Sequence, residues 1–143
     1  MNYEKIRQIR NHDNTYARIL GIDTKQIEKG FAMGEMPVRE EILNINGSVH
    51  GGVLYTLADT IGGAAAATHG NRVTTASGNM EYLAPAMHTD KLICKAEVVK
   101  EGKRLSISEV KVYDEKDKLL AIGLFEYARM KGSYEDYTES ISQ

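Results

Sequence analysis

The sequence has few cysteines, little net charge and no long hydrophobic run that is free of charge. A single cysteine, Cys94, excludes an internal disulfide. The net charge of −2 at pH 7 gives no basic footprint of the kind that binds nucleic acid. Residues 1–5 lack the apolar core of a signal peptide, and the most apolar run contains Asp59, so it is a poor membrane span. We therefore expect a cytoplasmic protein without nucleic-acid or membrane partners.

The remaining composition is that of one globular domain. A chain of 143 residues can bury a hydrophobic core, and its 42% hydrophobic and 27% charged residues are ordinary values. Metal binding is not indicated, because the four histidines show no ligand spacing with acids or the cysteine. They are His12, His50, His69 and His88.

The stretch from Asn44 to Gly70 predicts the central element of the fold and contains the main candidate functional residue. After a turn and paired glycines it predicts a helix from Gly51 to Thr68, about 27 Å long at ~1.5 Å per residue. One face of this helix is an apolar stripe, whereas the other carries Asp59 among small residues. A lone carboxylate in an apolar helix is a functional candidate, because burying an ion is costly. The glycine pair 62–63 predicts that a partner backbone or a thin ligand approaches closely.

The start of the same helix has its own chemistry. Its first backbone N–H groups have no intrahelical partner, and Gly51 and Gly52 let a ligand oxygen come near them. Such donors can stabilise the oxyanion of an attacked carbonyl. Asp59 lies ~12 Å further along the helix, so the Gly51 N–H and the Asp59 carboxylate of one helix cannot both contact the same carbonyl group. Two antiparallel copies could, and we expect a site shared between two subunits.

Alternating apolar residues after the helix predict antiparallel strands. Four strands are expected at 73–83, 92–100, 105–113 and 119–130, and two more with a loop in 22–45. The last strand is apolar at nearly every position, which predicts a strand covered on both faces. Residues 3–20 predict one or two short helices, the second capped by Asp13 or Asn14 and ended by Gly21.

These elements predict an α+β domain in which a curved antiparallel sheet of five or six strands wraps one long helix. We expect residues 1–21 to be a helical segment packed on the domain, residues 22–131 to be the domain, and residues 132–143 to be a polar, mobile tail.

With these motifs the chain resembles hotdog-fold acyl-CoA thioesterases of the phenylacetate-degradation type, over about residues 20 to 131. The resemblance implies the hotdog fold, domains that pair into dimers and often tetramers, and hydrolysis of acyl-CoA to free acid and coenzyme A. Coenzyme A is then part of the substrate, and no metal or redox cofactor is expected. The matching residues are Asn44, His50-Gly51-Gly52, Leu57-Ala58-Asp59, Tyr82-Leu83-Ala84-Pro85-Ala86 and Gly102-Lys103.

The resemblance also implies catalytic roles. Asp59 would act as general base on water or attack the thioester directly, and the Gly51 amide would polarise its carbonyl. His50 would position the thioester or support the glycine turn. Asn44 would hold the water or the carbonyl from the opposite subunit, and Thr75 would place a hydroxyl near the acid.

Substrate contacts are implied at two further places. Coenzyme A would lie along residues 82–87 and a cationic turn whose charges suit its phosphates. The acyl group is not specified, because aromatic and aliphatic groups all fit the apolar pocket expected between subunits. The implied substrate-binding residues are Gly52, Tyr55, Tyr82, Leu83, Pro85, Lys100, Gly102, Lys103 and Arg104.

Other interpretations stay open at this point. Asn44 can be a plain turn former, the cationic turn a solvated hairpin tip, Tyr55 a packing residue and Cys94 a small core residue. In place of a hydroxyl that some relatives carry one turn after the acid, this chain has Gly63. That difference leaves room for a non-catalytic acyl-CoA-binding sensor. A hydratase or dehydratase would instead need His50 and Asp59 paired as acid and base.

Overall fold

The computed structural model describes residues 1–136. Within them the six strands form one antiparallel sheet in the order β1-β2-β4-β5-β6-β3. The elements are α1 (Tyr3–Asp13), α2 (Thr15–Leu20), β1 (Asp23–Glu28), β2 (Phe31–Pro37), a short 3-10 turn (Glu40–Ile42), α3 (Gly51–Ala67), β3 (Asn71–Tyr82), β4 (Lys91–Glu101), β5 (Leu105–Asp114) and β6 (Leu119–Ser133).

Helix α3 is the centre of the core, as predicted. It contacts all six strands, and the curved sheet encloses it. Leu57, Ile61 and Ala65 of the predicted apolar stripe are fully buried against the sheet. Burying a leucine or isoleucine side chain contributes about 1.5–3 kcal/mol, so Leu57 and Ile61 in particular stabilise the packing of the helix on the sheet.

The strand predictions are confirmed to within about three residues. The period of two located β3, β4, β5 and β6, and the stretch 22–45 contains β1 and β2 as expected. The predicted N-terminal helices are present as α1 and α2. Asn14 caps α2 by accepting the N–H of Ala17 at 3.4 Å, and Gly21 ends it in the left-handed conformation at φ 79°.

Two expectations at the end of the chain need correction. Strand β6 continues to Ser133, and the Tyr134 side chain is only 8% exposed. The domain therefore extends beyond residue 131, and the predicted tail does not begin at 132; residues 137–143 lie outside the described part. Strand β6 is also not covered on both faces in a single chain, because Leu124 is 52% exposed.

Strand β3 is a long edge of the sheet. It runs for 12 residues, pairs with β6 alone among the described strands, and is exposed from Thr74 to Ser77. Proteins usually protect such edges, because unpaired strand groups are a template for another chain. The exposed part of β3 is therefore open to pairing with another strand. No helix of residues 1–136 has the length and apolar character needed to cross a membrane.

Candidate active site

The start of α3 is held by His50 and Tyr82. His50 is the N-cap residue, and its Nδ1 accepts the N–H of Gly52 at 2.8 Å. Tyr82 donates from its hydroxyl to the Gly51 carbonyl at 2.8 Å, and burial raises the pKa of Tyr82. Within residues 1–136 nothing accepts the N–H of Gly51. The helix start therefore offers the Gly51 amide to a ligand, while His50 already occupies the Gly52 amide.

Asn44 is bound within its own loop. Its Oδ1 accepts the backbone N–H groups of Asn46 and Ser48 at 2.9 and 3.2 Å, and its Nδ2 donates to the Ser48 hydroxyl at 2.9 Å. These bonds stabilise the turn that leads into the helix. The turn-former interpretation of Asn44 is thus supported by its contacts, and its role toward a substrate of the opposite subunit stays a prediction.

The acid of α3 sits between two strands. Asp59 is half-buried, and its Oδ1 accepts the hydroxyl of Thr75 on β3 at 2.6 Å. The backbone carbonyl of Asp59 accepts the hydroxyl of Tyr127 on β6 at 2.7 Å. Tyr127 is fully buried, and this burial together with the nearby Asp59 charge raises the pKa of its phenol. The carboxylate is therefore positioned by a short hydrogen bond from an exposed strand.

Sequence reasoning missed Tyr127 and Arg10. Tyr127 lies 68 residues from the acid along the chain, and no local pattern marks it. Arg10 reaches from α1 to donate to the Thr60 carbonyl at 2.9 Å. A Cβ placed on Gly62 would collide with the Tyr127 hydroxyl, and one on Gly63 would lie 3.0 Å from Arg10 Nη2. The close approach predicted at these glycines thus comes from this chain's own side chains, not from a partner backbone or ligand.

A cavity of about 240 Å³ opens beside the carboxylate, between α1, α3 and the β3–β6 pair. Its wall is mostly polar. The apolar acyl pocket expected from the sequence lies between two subunits and stays a prediction. The lining residues are Arg10, Asn14, Asp59, Thr60, Gly63, Val73, Thr74, Thr75 and Tyr127.

Within one chain the helix start and the acid are far apart. Along α3, Gly51 and Asp59 are separated by ~12 Å of helix rise. Along β3, Thr75 pairs with Tyr127 and Tyr82 pairs with Ala121. The seven residues from Thr75 to Tyr82 span ~23 Å of strand. One chain therefore does not bring the Gly51 amide and the Asp59 carboxylate to a common carbonyl.

The residues predicted to contact coenzyme A also form two separate groups, one at the start of α3 and one near the acid. Tyr82, Leu83 and Pro85 lie exposed at the helix-start end. The cationic turn joins β4 to β5 near the acid, since Leu105 pairs with Ala128 of β6. The structure does not join these two groups into one surface of a single chain.

The cationic turn has free charges. Lys100, Lys103 and Arg104 are exposed, and none forms an ion pair with residues 1–136. Gly102 donates its N–H to the Leu105 carbonyl at 2.8 Å, and a Cβ there would lie 2.6 Å from that oxygen. A glycine is therefore needed for the tight turn that presents the three cations.

Two other residues have packing roles. Tyr55, predicted to contact substrate, packs edge-on against Phe125 with 5.0 Å between ring centroids. Cys94 is fully buried, and burial raises the pKa of its thiol. It is a core residue, as its simplest interpretation held. In the described part of the chain no three His, Cys, Asp or Glu side chains converge to hold a metal ion.

The chain is similar in sequence to a family of known proteins. The model of the Thioesterase superfamily matches residues 46–121, more than half of the chain. Acyl-coenzyme A thioesterase PaaI of Escherichia coli is 31% identical over 106 residues, which are 74% of this chain and 76% of the relative.

Solved structures agree with this result. The structure of Escherichia coli PaaI superimposes with a TM-score of 0.82 at 28% identity, covering 93% of this chain and 99% of that one. A Streptococcus mutans protein crystallised with acetyl CoA has a TM-score of 0.73 at 26% identity, covering 78% of this chain and 90% of that one. The predicted hotdog fold is thereby confirmed.

Proposed function

The chain belongs to the thioesterase superfamily, and from this premise we propose that it hydrolyses acyl-CoA to a free acid and coenzyme A at a site built around Asp59. The observation that carries the site is the half-buried Asp59 carboxylate, bonded to the Thr75 hydroxyl at 2.6 Å beside a cavity. Relatives named acyl-CoA thioesterases support the substrate class.

The chemistry follows from what each group can do. Asp59 either removes a proton from water, whose oxygen attacks the thioester carbon and displaces the coenzyme A thiolate, or attacks that carbon itself. The second route breaks the same C–S bond and forms an acyl anhydride that water then hydrolyses, and both routes require the ionised carboxylate. The hydroxyl of Thr75 orients one carboxylate oxygen and leaves the other for the reaction. The Gly51 N–H, at the positive end of the α3 dipole, stabilises the oxyanion. No resident cofactor takes part, because coenzyme A belongs to the substrate.

A homodimer would unite the two halves of this site. If the exposed edges of β3 from two copies pair antiparallel about a point between Gly78 and Asn79, Thr75 of one chain lies opposite the partner's Tyr82. The acid of one subunit then approaches the helix start of the other. The length and exposure of β3 support this arrangement.

The same pairing would complete the coenzyme A surface. It brings residues 82–85 of one subunit toward the free cations Lys100, Lys103 and Arg104 of the other. Cations without ion-pair partners are suited to the phosphates of coenzyme A. The complex of the Streptococcus mutans relative with acetyl CoA supports binding of this ligand class.

The deciding experiment measures thiol release from phenylacetyl-, benzoyl-, butyryl- and palmitoyl-CoA. Wild type is compared with Asp59→Asn, which removes the charge with little change in size, and with the control Asp117→Asn in the β5–β6 turn. Asp117 is exposed and has a φ of 64°, a conformation that asparagine tolerates, so this control loses an acid without strain. We expect Asp59→Asn to lose at least ~100-fold in kcat, as for other general bases, and Asp117→Asn to retain wild-type activity. Wild-type turnover by Asp59→Asn would remove Asp59 from the mechanism, and acyl-CoA binding without turnover by wild type would favour a sensor.

Subunit mixing tests the shared site. Gly51→Pro deletes the oxyanion N–H at a position where helices accept proline. Inactive Asp59→Asn and Gly51→Pro subunits, exchanged and verified as heterodimers, should recover activity, because one of their two sites is intact. No recovery in verified heterodimers would contradict the two-chain site.

A further inference from the structure

Arg10 closes one end of the Asp59 cavity. Its Nη2 donates to the Thr60 carbonyl at 2.9 Å, and its Nη1 donates to the Tyr134 hydroxyl at 3.0 Å. Gly63 leaves room for the guanidinium, since a Cβ there would lie 3.0 Å from Nη2. The cation is therefore held in a fixed place by α3 and by the segment that follows β6.

Within residues 1–136 the guanidinium of Arg10 has hydrogen-bond donors that are not used. Within residues 1–136 Arg10 forms no ion pair, and its Nε is buried without a hydrogen-bond acceptor. Two of its five N–H donors are used within these residues. Leaving donors of a half-buried cation unpaired is costly. Such a group is suited to receive an anion from a ligand.

The cavity between the acid and this cation is polar. Asn14, Thr74 and Thr75 contribute hydrogen-bonding side chains, whereas small-molecule pockets are usually lined by apolar groups. A hydrocarbon acyl chain would form no hydrogen bond with this wall, whereas a chain that carries oxygen would.

The length of the acyl chain follows from the helix. Arg10 contacts α3 at Thr60 and Gly63, the latter one turn or ~6 Å beyond Asp59. We propose that the acyl group is short and ends in a carboxylate, which Arg10 binds while Asp59 acts on the thioester. Acyl groups of succinyl or glutaryl length fit this separation. The proposal rests on the proposed acyl-CoA hydrolysis and assigns its substrate class.

The test compares succinyl-CoA with butyryl-CoA, which have equally long acyl chains and differ in a terminal carboxylate against a methyl group. The measured quantity is the ratio of kcat/KM for succinyl-CoA to that for butyryl-CoA. Wild type should prefer succinyl-CoA. Arg10→Gln should lower the ratio at least about tenfold, the scale of one charge-assisted hydrogen bond. Arg10→Lys should retain part of the preference, and Tyr134→Phe, which releases Nη1 without removing the charge, should lower it less than Arg10→Gln.

Arg7→Gln is the matched control. Arg7 lies on the same helix but pairs with Glu4 at 2.6 Å and does not line the cavity. Its substitution should leave the ratio unchanged. Equal losses on both substrates in Arg10→Gln would make Arg10 a structural brace and overturn the proposal, as would a wild-type preference for butyryl-CoA.

Failure of the proposed function would look different. In that case wild type hydrolyses no acyl-CoA at all. Calorimetric binding of succinyl-CoA and butyryl-CoA to wild type and Arg10→Gln then decides the acyl preference by itself. Tighter binding of succinyl-CoA that is lost in Arg10→Gln supports the role of Arg10, and equal binding of the two thioesters contradicts it.

Discussion

Gly62→Ala should destabilise the protein, although alanine is the better helix former. The added Cβ would collide with the Tyr127 hydroxyl and lie 3.1 Å from Val110 Cγ2. Tyr127 is 1% exposed, so its ring has no free space to move into. A shift of the ring also breaks its hydrogen bond of 2.7 Å to the Asp59 carbonyl.

The magnitude follows from three contributions. Overpacking a core costs about 1–3 kcal/mol. A buried phenol left without its acceptor costs about 1–3 kcal/mol. Replacing glycine by alanine within a helix stabilises the helix by about 1 kcal/mol, which opposes the two losses. The free energy of unfolding should therefore fall by about 3 kcal/mol, which lowers Tm by roughly 10 °C for a domain of this size.

Gly63→Ala is the matched control, because it makes the same glycine-to-alanine change, with the same gain in helix propensity, at the next residue of α3. Its Cβ would lie 3.0 Å from Arg10 Nη2 and 3.3 Å from Tyr127 Cε1, without the collision found at Gly62, so we expect a smaller loss of stability, about 1 kcal/mol or less. Urea denaturation at one fixed protein concentration measures both variants, since association changes apparent stability. In a Tyr127→Phe background the hydroxyl is gone, and Gly62→Ala should cost much less. A stable Gly62→Ala protein, or an equal cost in both backgrounds, would refute the reasoning.

Three further predictions concern the acid, the cysteine and one surface carboxylate. Thr75→Val should lower kcat about tenfold by removing the hydrogen bond to Asp59, while Thr75→Ser should keep most of the activity. A kcat of Thr75→Val equal to that of wild type would show that this hydrogen bond does not contribute to catalysis. The Cys94 thiol should react with a disulfide reagent only after denaturant unfolds the core, and rapid labelling of the native protein would contradict its burial. The hydrogen bond from the Thr89 hydroxyl is the first cause of the lowered pKa of Glu115, so the stabilisation is complete above pH 4.5 and is lost as pH falls through the folded-state pKa. The difference in urea midpoint between wild type and Glu115→Gln should therefore be present near neutral pH and vanish in acid; a constant difference would exclude this linkage.

Much of the fold could be predicted because local periodicity reports burial directly. Side chains alternate across a strand, so the period of two from residue 73 onward marked four strands. The apolar stripe of α3 and the glycines at its start are equally local signals. They sufficed to place Asp59 and Gly51 on one helix and to show that ~12 Å separates them.

The contacts around the acid could not be predicted, because they join distant parts of the chain. Small residues at 62–63 indicated a close approach, yet nothing nearby in sequence identified Tyr127 or Arg10 as the groups that approach. Tyr134 looked like part of a polar tail, because no local pattern in the sequence reports its burial or its hydrogen bond from Arg10, 124 residues away. Asn44 fitted both a turn and a site; its hydrogen bonds within the loop support the turn, and its role toward a substrate stays a prediction.

The bond between Arg10 and Tyr134 also has a consequence for how the protein is made. The two residues lie 124 positions apart in the chain. Synthesis proceeds from the N-terminal side, so helix α1 emerges long before the residue that fixes its guanidinium. The acid pocket can therefore close only after Tyr134 has left the ribosome, and a nascent chain that ends before this residue should stay inactive.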